Sequence, residues 1–145
     1  MNPTLEKFGY PHTLLKEFNH WCILRRPAQA TLGALVLGSK HLASSLGSLP
    51  PEAHAELHAC TSTLERALTL FRPYDKINYM ALMMVDPQVH FHVLPRYART
   101  QEFEDIAFPD SGWPGVPDLK AAPALSVATQ IALHASLLDA FDQIV

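Results

Sequence analysis

Cysteine, net charge and long apolar runs are all scarce in this chain, and each shortage excludes a class of protein. The two cysteines, Cys22 and Cys60, lie far apart and form no Cys-x-x-Cys pair, so we expect buried apolar groups rather than a metal or redox site. The formal net charge of −3 gives no reason to expect nonspecific binding to nucleic acids or acidic membranes. No segment approaches the ~20 apolar residues of a membrane span, and the first residues do not resemble a signal peptide. These absences predict a cytoplasmic protein that binds neither nucleic acid nor membrane.

The length and the apolar content fit a single domain with its own core. A chain of 145 residues buries roughly two-thirds of its unfolded surface, and the hydrophobic fraction of 48% is ordinary for a globular protein. We expect one domain over residues 1–145. Its core should span about residues 10–100, followed by a C-terminal loop and helix over residues 101–145.

Apolar runs bounded by proline and glycine predict four short strands. They are expected over residues 21–24, 34–37, 76–84 and 89–94. The first two strands lie close enough in sequence to form an antiparallel pair. The last two are joined by so few residues that they should form a hairpin.

Helices are predicted where apolar residues recur every three or four positions. This spacing, from Ala53 to Phe71, predicts a helix of about five turns. It begins at Pro50-Pro51-Glu52 and ends at Arg72-Pro73. A short helix is expected over residues 13–18 and a last helix over about residues 124–144, after a proline-rich loop over residues 100–123. The resulting fold class is α+β, an antiparallel sheet with one long packed helix and a C-terminal helix.

Two histidines on one strand carry the chemistry. Alternate side chains of a strand share a face, so His90 and His92 should point the same way as Gln88, while Val89 and Phe91 point into the core. A neutral imidazole is a good nucleophile near pH 7, and a second imidazole can donate to a phosphoryl or leaving oxygen. The pair therefore favours attack on a phosphate ester.

Two other interpretations of the histidines stay open at this point. They could be hydrogen-bonded surface residues without a catalytic role, or they could bind a metal. No third ligand is evident on the strand, and Gln88 is a poor ligand for zinc, so we expect neither a metal nor another cofactor. His54 and His58, four residues apart on the long helix, are expected to lie on a solvated face.

The segment from Gln88 to Arg96 resembles the signature of the histidine triad (HIT) family, in which three histidines alternate with apolar residues. The similarity extends upstream to the segment 29–41, which resembles the second strand of that family and its exit, and covers roughly residues 21–97 overall. It implies a HIT-like sheet and a nucleotide hydrolase or nucleotidyl transferase, usually a homodimer. The substrates implied are dinucleoside polyphosphates or nucleoside phosphoramidates.

The resemblance also implies roles for individual residues. His90 matches the family nucleophile, which would form a nucleotidyl-histidine intermediate that water resolves. His92 matches the histidine that contacts the phosphate or leaving group. Asn78 resembles an asparagine that many members keep beside the site, with a hydrogen-bonded strand residue as the alternative. The Trp113-Pro114 pair is similar to one near a neighbouring subunit's site in some members.

Three departures from the family pattern limit what the resemblance implies. Gln88 stands at the first triad position, where it can hydrogen-bond but cannot titrate. Gly33 stands where many members have a supporting histidine. Arg25 lies near the position that often holds an acceptor for ribose hydroxyls, and a cation there suits phosphate instead. Because no Walker-type glycine loop is present, phosphate binding falls to the histidines, backbone amides and Arg25 or Arg96.

Three hypotheses follow. The first is an enzyme that hydrolyses phosphoanhydride or phosphoramidate bonds through a covalent His90 adduct, with Gln88, Asn78 and Arg25 as substrate-binding residues. The second is a non-catalytic nucleotide-binding module, motivated by Gln88, Gly33 and Arg25. The third is a metal-binding protein that uses His90 and His92.

Overall fold

The computed structural model describes residues 2–144 and has the predicted α+β architecture. Five strands form an antiparallel sheet in the order β1-β2-β3-β5-β4, and β6 pairs with β7 in a separate hairpin. No helix within residues 2–144 combines the length and the apolar character needed to cross a membrane. The elements are α1 (Pro3–Lys7), β1 (Leu14–Glu17), β2 (Trp21–Arg25), β3 (Leu35–Ser39), α2 (Pro51–Phe71), β4 (Lys76–Met80), β5 (His90–Arg96), β6 (Gln101–Phe103), β7 (Ile106–Phe108) and α3 (Val127–Asp142).

The long helix and the C-terminal helix pack together against one face of the sheet. Trp21 of β2 is fully buried there and its indole N–H donates to the Ala53 carbonyl of α2 at 2.7 Å. Leu64 of α2 and Leu133 of α3 belong to the same core cluster. The sheet is therefore covered on this side by the two helices predicted from their apolar spacing.

The opposite face is covered by α1 and the turn that follows it. Leu5 and Phe8 pack there with Cys22 and Val36 in a second apolar cluster. Cys22 and Cys60 are both free and buried, as predicted, and burial raises the pKa of each thiol to about 12. Both cysteines are therefore neutral apolar groups at physiological pH.

The predicted helix over residues 13–18 is wrong, because this segment forms β1. Leu15 packs into the cluster beneath α2, whereas Leu14 packs against the cluster under α1. Adjacent apolar residues that face opposite sides are typical of a strand covered on both faces. A shift in register between Leu14 and Lys16 disturbs the pairing of β1 with β2, which obscures the alternation in the sequence.

Other predicted boundaries also differ, and three of the differences concern the segments around β4, β5 and the loop after them. The predicted strand 76–84 ends at Met80, and residues 81–87 form an apolar loop. β5 continues through Pro95 to Arg96. The pairing of β3 with β5 ends at Val93, so Pro95 lies where β5 has only one neighbour, a position that tolerates the missing N–H. The predicted loop 100–123 contains the β6–β7 hairpin.

Gly38 allows α1 to approach the sheet. A Cβ at this position would lie 2.2 Å from Leu5 Cδ2, so we expect Gly38→Ala to displace Leu5 and lower the free energy of unfolding by about 1–3 kcal/mol. Denaturant titration measures the change. Gly47→Ala is the matched control because a Cβ there meets no atom within 4 Å. Equal stability of the two variants would contradict close packing at Gly38.

Candidate active site

His90 and His92 project from the face of β5 that α1 covers. Gly38 pairs with His90 and Val36 pairs with His92, so both imidazoles lie beside the apolar cluster that contains Val36. The ring centroids are 5.0 Å apart, with an interplanar angle of 83°. The alternation along the strand thus gives the two histidines the predicted common face.

The rings are more enclosed than a surface strand implies. His90 is 2% exposed and His92 is 6% exposed. The Phe8 ring lies 5.4 Å from the His90 ring and 5.6 Å from the His92 ring, centroid to centroid. The enclosure comes from the α1 segment, which the sequence analysis did not identify.

A backbone carbonyl fixes the tautomer of His90. Nδ1 of His90 lies 2.8 Å from the carbonyl oxygen of Gln88. A carbonyl can only accept, so Nδ1 carries the proton and donates it. The lone pair of the neutral ring is therefore on Nε2, the atom a nucleophilic imidazole needs.

In His92 the proton is on the other ring nitrogen. Nε of Arg26 donates to His92 Nδ1 at 3.3 Å, so the proton of the neutral ring is on Nε2. Burial, with smaller contributions from the charges of Arg26 and His90, lowers the pKa of His92 to about 4. At neutral pH, His92 is thus an uncharged ring whose Nε2–H can donate to an oxygen of a bound group.

The two histidines line a cavity of about 320 Å³. Its cations are Lys7 and Arg26, and its one carboxylate, Asp86, lies 2.8 Å from Lys7 Nζ. The rest of the wall is apolar and consists of Phe8 together with the loop residues Leu82, Met83, Met84 and Val85. The walls therefore carry a net charge of +1 when both histidines are neutral, which favours an anion.

Gln88 does not reach this cavity with its side chain. The Thr4 hydroxyl donates to Gln88 Oε1 at 2.6 Å, and the Gln88 N–H approaches the same hydroxyl oxygen at 3.2 Å. The side chain therefore links the start of β5 to α1. Its backbone carbonyl, rather than its amide, contacts His90.

Asn78 shares the sheet face of the histidines but lies farther along it. Met80 pairs with His92, whereas Asn78 pairs with Leu94. Asn78 Oδ1 accepts a hydrogen bond from Arg96 Nη1 at 2.7 Å. These two residues line a second, smaller cavity with Trp113, which is separate from the one beside His90.

The structure brings Arg26, not Arg25, to the histidines. Adjacent residues of a strand face opposite sides, and Arg25 Nε donates to His134 of α3 at 3.4 Å on the helix-covered face. Arg26 follows the strand and also donates from Nη1 to the carbonyl oxygens of Ala28 and Leu119. Phosphate binding was assigned to Arg25 from the sequence, and Arg26 was given no role. Alternation along β2 assigns Arg25 to the helix-covered face but does not determine the position of Arg26, which lies beyond the strand.

Gly33 also lies away from the histidines. Its φ of +91° is a left-handed conformation that side chains rarely adopt, and a Cβ there would meet Leu68, Phe71 and Pro95. A histidine at this position could not support the paired imidazoles. On β3 the neighbours of the pair are Val36 and Gly38.

Titration of His92 should make the stability of the protein depend on pH. The unfolded ring binds its proton near pH 6.5 and the folded ring near pH 4, so the unfolded state holds more protons between these values. The contribution of neutral His92 to the free energy of unfolding is fully present above pH 6.5. It decreases as the pH falls towards 4, by up to about 3 kcal/mol. Urea titrations from pH 7 to pH 4 measure this decrease.

His92→Asn is the control for the pH dependence, because it removes the titrating ring and retains an acceptor for Arg26. Burial also lowers the pKa of His134, which adds a dependence of the same sign to both proteins. The difference between the two titrations therefore isolates His92. Parallel curves for wild type and His92→Asn would contradict the assigned neutral state.

The antiparallel sheet and its packed helices are similar to the fold of histidine triad proteins. A histidine triad protein from Bradyrhizobium japonicum matches with a TM-score of 0.73 and 20% identity over 99% of this chain and 96% of its own. Another from Sinorhizobium meliloti matches with a TM-score of 0.72 and 20% identity over 96% and 94%. A third from Marinobacter aquaeolei has a TM-score of 0.68 and 23% identity over 91% and 90%. The predicted HIT-like architecture is thus confirmed.

The whole sequence has no significant match among family models or curated proteins. The likeness is therefore one of fold.

Proposed function

We propose that this protein is a nucleotide-phosphate hydrolase or nucleotidyl transferase that acts through a covalent adduct on His90. The observation that carries the proposal is the 2.8 Å contact between His90 Nδ1 and the Gln88 carbonyl. This contact keeps the Nε2 lone pair available in a cavity whose walls favour an anion. The fold shared with histidine triad proteins supports the same class of activity.

The first step forms a bond between His90 Nε2 and the phosphorus, and breaks the bond from phosphorus to the leaving oxygen or nitrogen. The leaving group departs with the bonding electron pair and takes any proton it needs from water. The Nε2–H of His92 donates a hydrogen bond to a phosphoryl oxygen, where negative charge develops. Arg26 and Lys7 stabilise the same charge electrostatically.

The second step releases the adduct. A water oxygen attacks the phosphorus and releases a proton to the solvent, the bond to His90 Nε2 breaks, and the imidazole regains its lone pair. In a transferase another hydroxyl or phosphate takes the place of water. Because the Gln88 carbonyl still accepts from Nδ1, the ring returns to the same tautomer for the next cycle.

The substrate-binding residues take different parts in this proposal. Gln88 acts through its backbone carbonyl and not through its side chain. The proposal gives Asn78 no contact with the substrate, because its amide oxygen accepts from Arg96 beside a separate cavity. The proposal assigns the cationic role expected of Arg25 to Arg26, which contacts His92.

Trapping the adduct tests the proposal. The protein is mixed with diadenosine polyphosphates or with a nucleoside phosphoramidate, quenched in alkali to preserve a phosphorus–nitrogen bond, and digested for mass spectrometry. We expect a nucleotidyl group on the peptide that contains His90. Turnover without such a group, or a group on another residue, would contradict the mechanism.

A non-catalytic nucleotide-binding module is the second candidate. The observation that favours it is the enclosure of His90 beneath Phe8. Calorimetric titration with mononucleotides, run beside the turnover assay, separates the two functions. Binding without product formation favours the module.

We also propose that the protein is a cytoplasmic homodimer whose ligand is a small nucleotide or phosphate ester. Val127 and Ile131 lie one turn apart on α3 and are 72% and 65% exposed. An exposed apolar stripe of this kind supports an interface between two copies. Sedimentation of the wild type and of Ile131→Gln tests the assembly, since a dimer through this stripe should weaken in the variant.

A further inference from the structure

We propose that the cavity beside His90 selects phosphorus compounds whose leaving group is an apolar alcohol or amine. This inference rests on the proposed function and specifies its substrate class. The residues that determine the preference are Leu82, Met84 and Val85, which we call the apolar lip. They belong to the loop between β4 and β5.

The apolar lip is an unusual concentration of exposed apolar surface. Leu82, Met84 and Val85 are 47%, 79% and 84% exposed. Within residues 2–144, nine large apolar side chains are exposed, and three of these fall within four consecutive positions at the rim of this cavity. Exposed apolar clusters at a cavity mark ligand-binding surface, whereas single exposed residues do not.

The loop that carries the lip is held in place from α1. Asp86 forms an ion pair with Lys7 at 2.8 Å, and Gln88 hydrogen-bonds to Thr4. Between the lip residues, Met83 has a φ of +42°, a left-handed conformation that is costly for a side chain other than glycine. The ion pair and the hydrogen bond connect the loop to α1, whose end lies beside the histidines.

Most polar groups of the cavity contact one another beside the histidines. Asp86 is paired with Lys7, His92 Nδ1 accepts from Arg26, and the proposed function reserves His90 Nε2 for phosphorus. Lys7 and Arg26 can only donate. A polyphosphate leaving group extending past the lip would therefore meet apolar side chains and no cation of the cavity wall besides Lys7 and Arg26.

An apolar group at the same place would remove both its own surface and the lip from water. The cations beside the histidines would hold the phosphoryl oxygens, and the lip would contact the alkyl or aryl body. The cavity thus has two parts, one for an anion and one for an apolar group, in the order in which a phosphorus ester presents them.

Equilibrium binding of two non-hydrolysable phosphonates to the full chain tests the inference. Calorimetry with phenylphosphonate and methylphosphonate compares the same anion with and without an aryl group. We expect phenylphosphonate to bind at least about tenfold more tightly, as burial of a phenyl ring against apolar side chains implies. Equal affinities, or no binding of either compound at millimolar concentration, would overturn the inference.

Variants of the apolar lip test whether its side chains cause the preference for phenylphosphonate. Met84→Gln and Val85→Thr alter exposed side chains of nearly unchanged size, so the fold should persist. Together they are expected to reduce the preference for phenylphosphonate severalfold and to leave methylphosphonate binding unchanged. Val116→Thr, at a residue that is 78% exposed elsewhere, is the matched control. A preference that survives in the lip variant would also overturn the inference.

The binding test is independent of turnover. A phenylphosphonate preference without a His90 adduct would leave the apolar lip established and the proposed function wrong. An adduct formed with equal affinities for both phosphonates would leave the proposed function established and this inference wrong.

Discussion

Replacing His90 with asparagine is expected to lower kcat by about three orders of magnitude or more. The amide nitrogen of asparagine can occupy the position of Nδ1 and donate to the Gln88 carbonyl, so the hydrogen bond at the start of β5 is retained. The nucleophilic Nε2 is lost. Single-turnover kinetics with a diadenosine polyphosphate or a nucleoside phosphoramidate measure the effect.

Two variants at His92 are the matched controls for His90→Asn. In His92→Gln the amide nitrogen takes the position of Nε2–H, so a donor to the phosphoryl oxygen persists and we expect a loss of about tenfold. His92→Asn keeps only the acceptor for Arg26 and should lose about a hundredfold. Because His90 is buried, circular dichroism must show that each variant is folded. Wild-type turnover in folded His90→Asn would exclude the adduct.

Replacing Asp110 with alanine is expected to lower the free energy of unfolding by about 3–5 kcal/mol. Its carboxylate accepts from Arg96 Nε at 2.6 Å and from Nη2 at 2.9 Å, and the two side chains are 2% and 4% exposed. The Tyr97 N–H also donates to this carboxylate. Without Asp110, the guanidinium stays buried beside Asn78 with no counter-charge.

Thermal and urea denaturation measure the effect of Asp110→Ala. The control is Glu17→Gln, which removes the exposed ion pair with Lys40 at 3.4 Å. Exposed pairs contribute about 0–1 kcal/mol, so this variant should remain close to the wild type. If both variants lost the same small amount, the Arg96–Asp110 pair would not hold the segment after β7 against β5.

The architecture could be predicted because its main elements have strong local patterns. The helix that became α2 has unbroken apolar spacing between two proline signals, and the alternation around Phe91 assigns one side of β5 to the core. The segment that became β1 could not be assigned, because Leu14 and Leu15 serve different apolar clusters and their adjacency resembles a helix. Burial on both sheet faces removes the alternation on which strand prediction depends.

The common face of His90 and His92 was predictable from the alternation of side chains along β5, whereas the residues that surround the pair were not. Arg26 lies outside β2, and its contact with His92 depends on where the chain leaves the strand. The five-residue α1 is too short for a periodic pattern, yet it encloses the site and binds the Gln88 side chain through Thr4. Contacts between residues 84 positions apart leave no local trace in a sequence.

The position of Asn2 has a practical consequence for preparing the protein. Its side-chain amide donates to the carbonyl oxygens of Ser39 and His41 at 2.9 and 3.1 Å and is buried. This anchor sets the helix that holds Phe8 over the imidazoles. A truncation that removes Asn2 would take this anchor away, so kinetic constants of protein trimmed past Asn2 should be compared with those of protein that retains it.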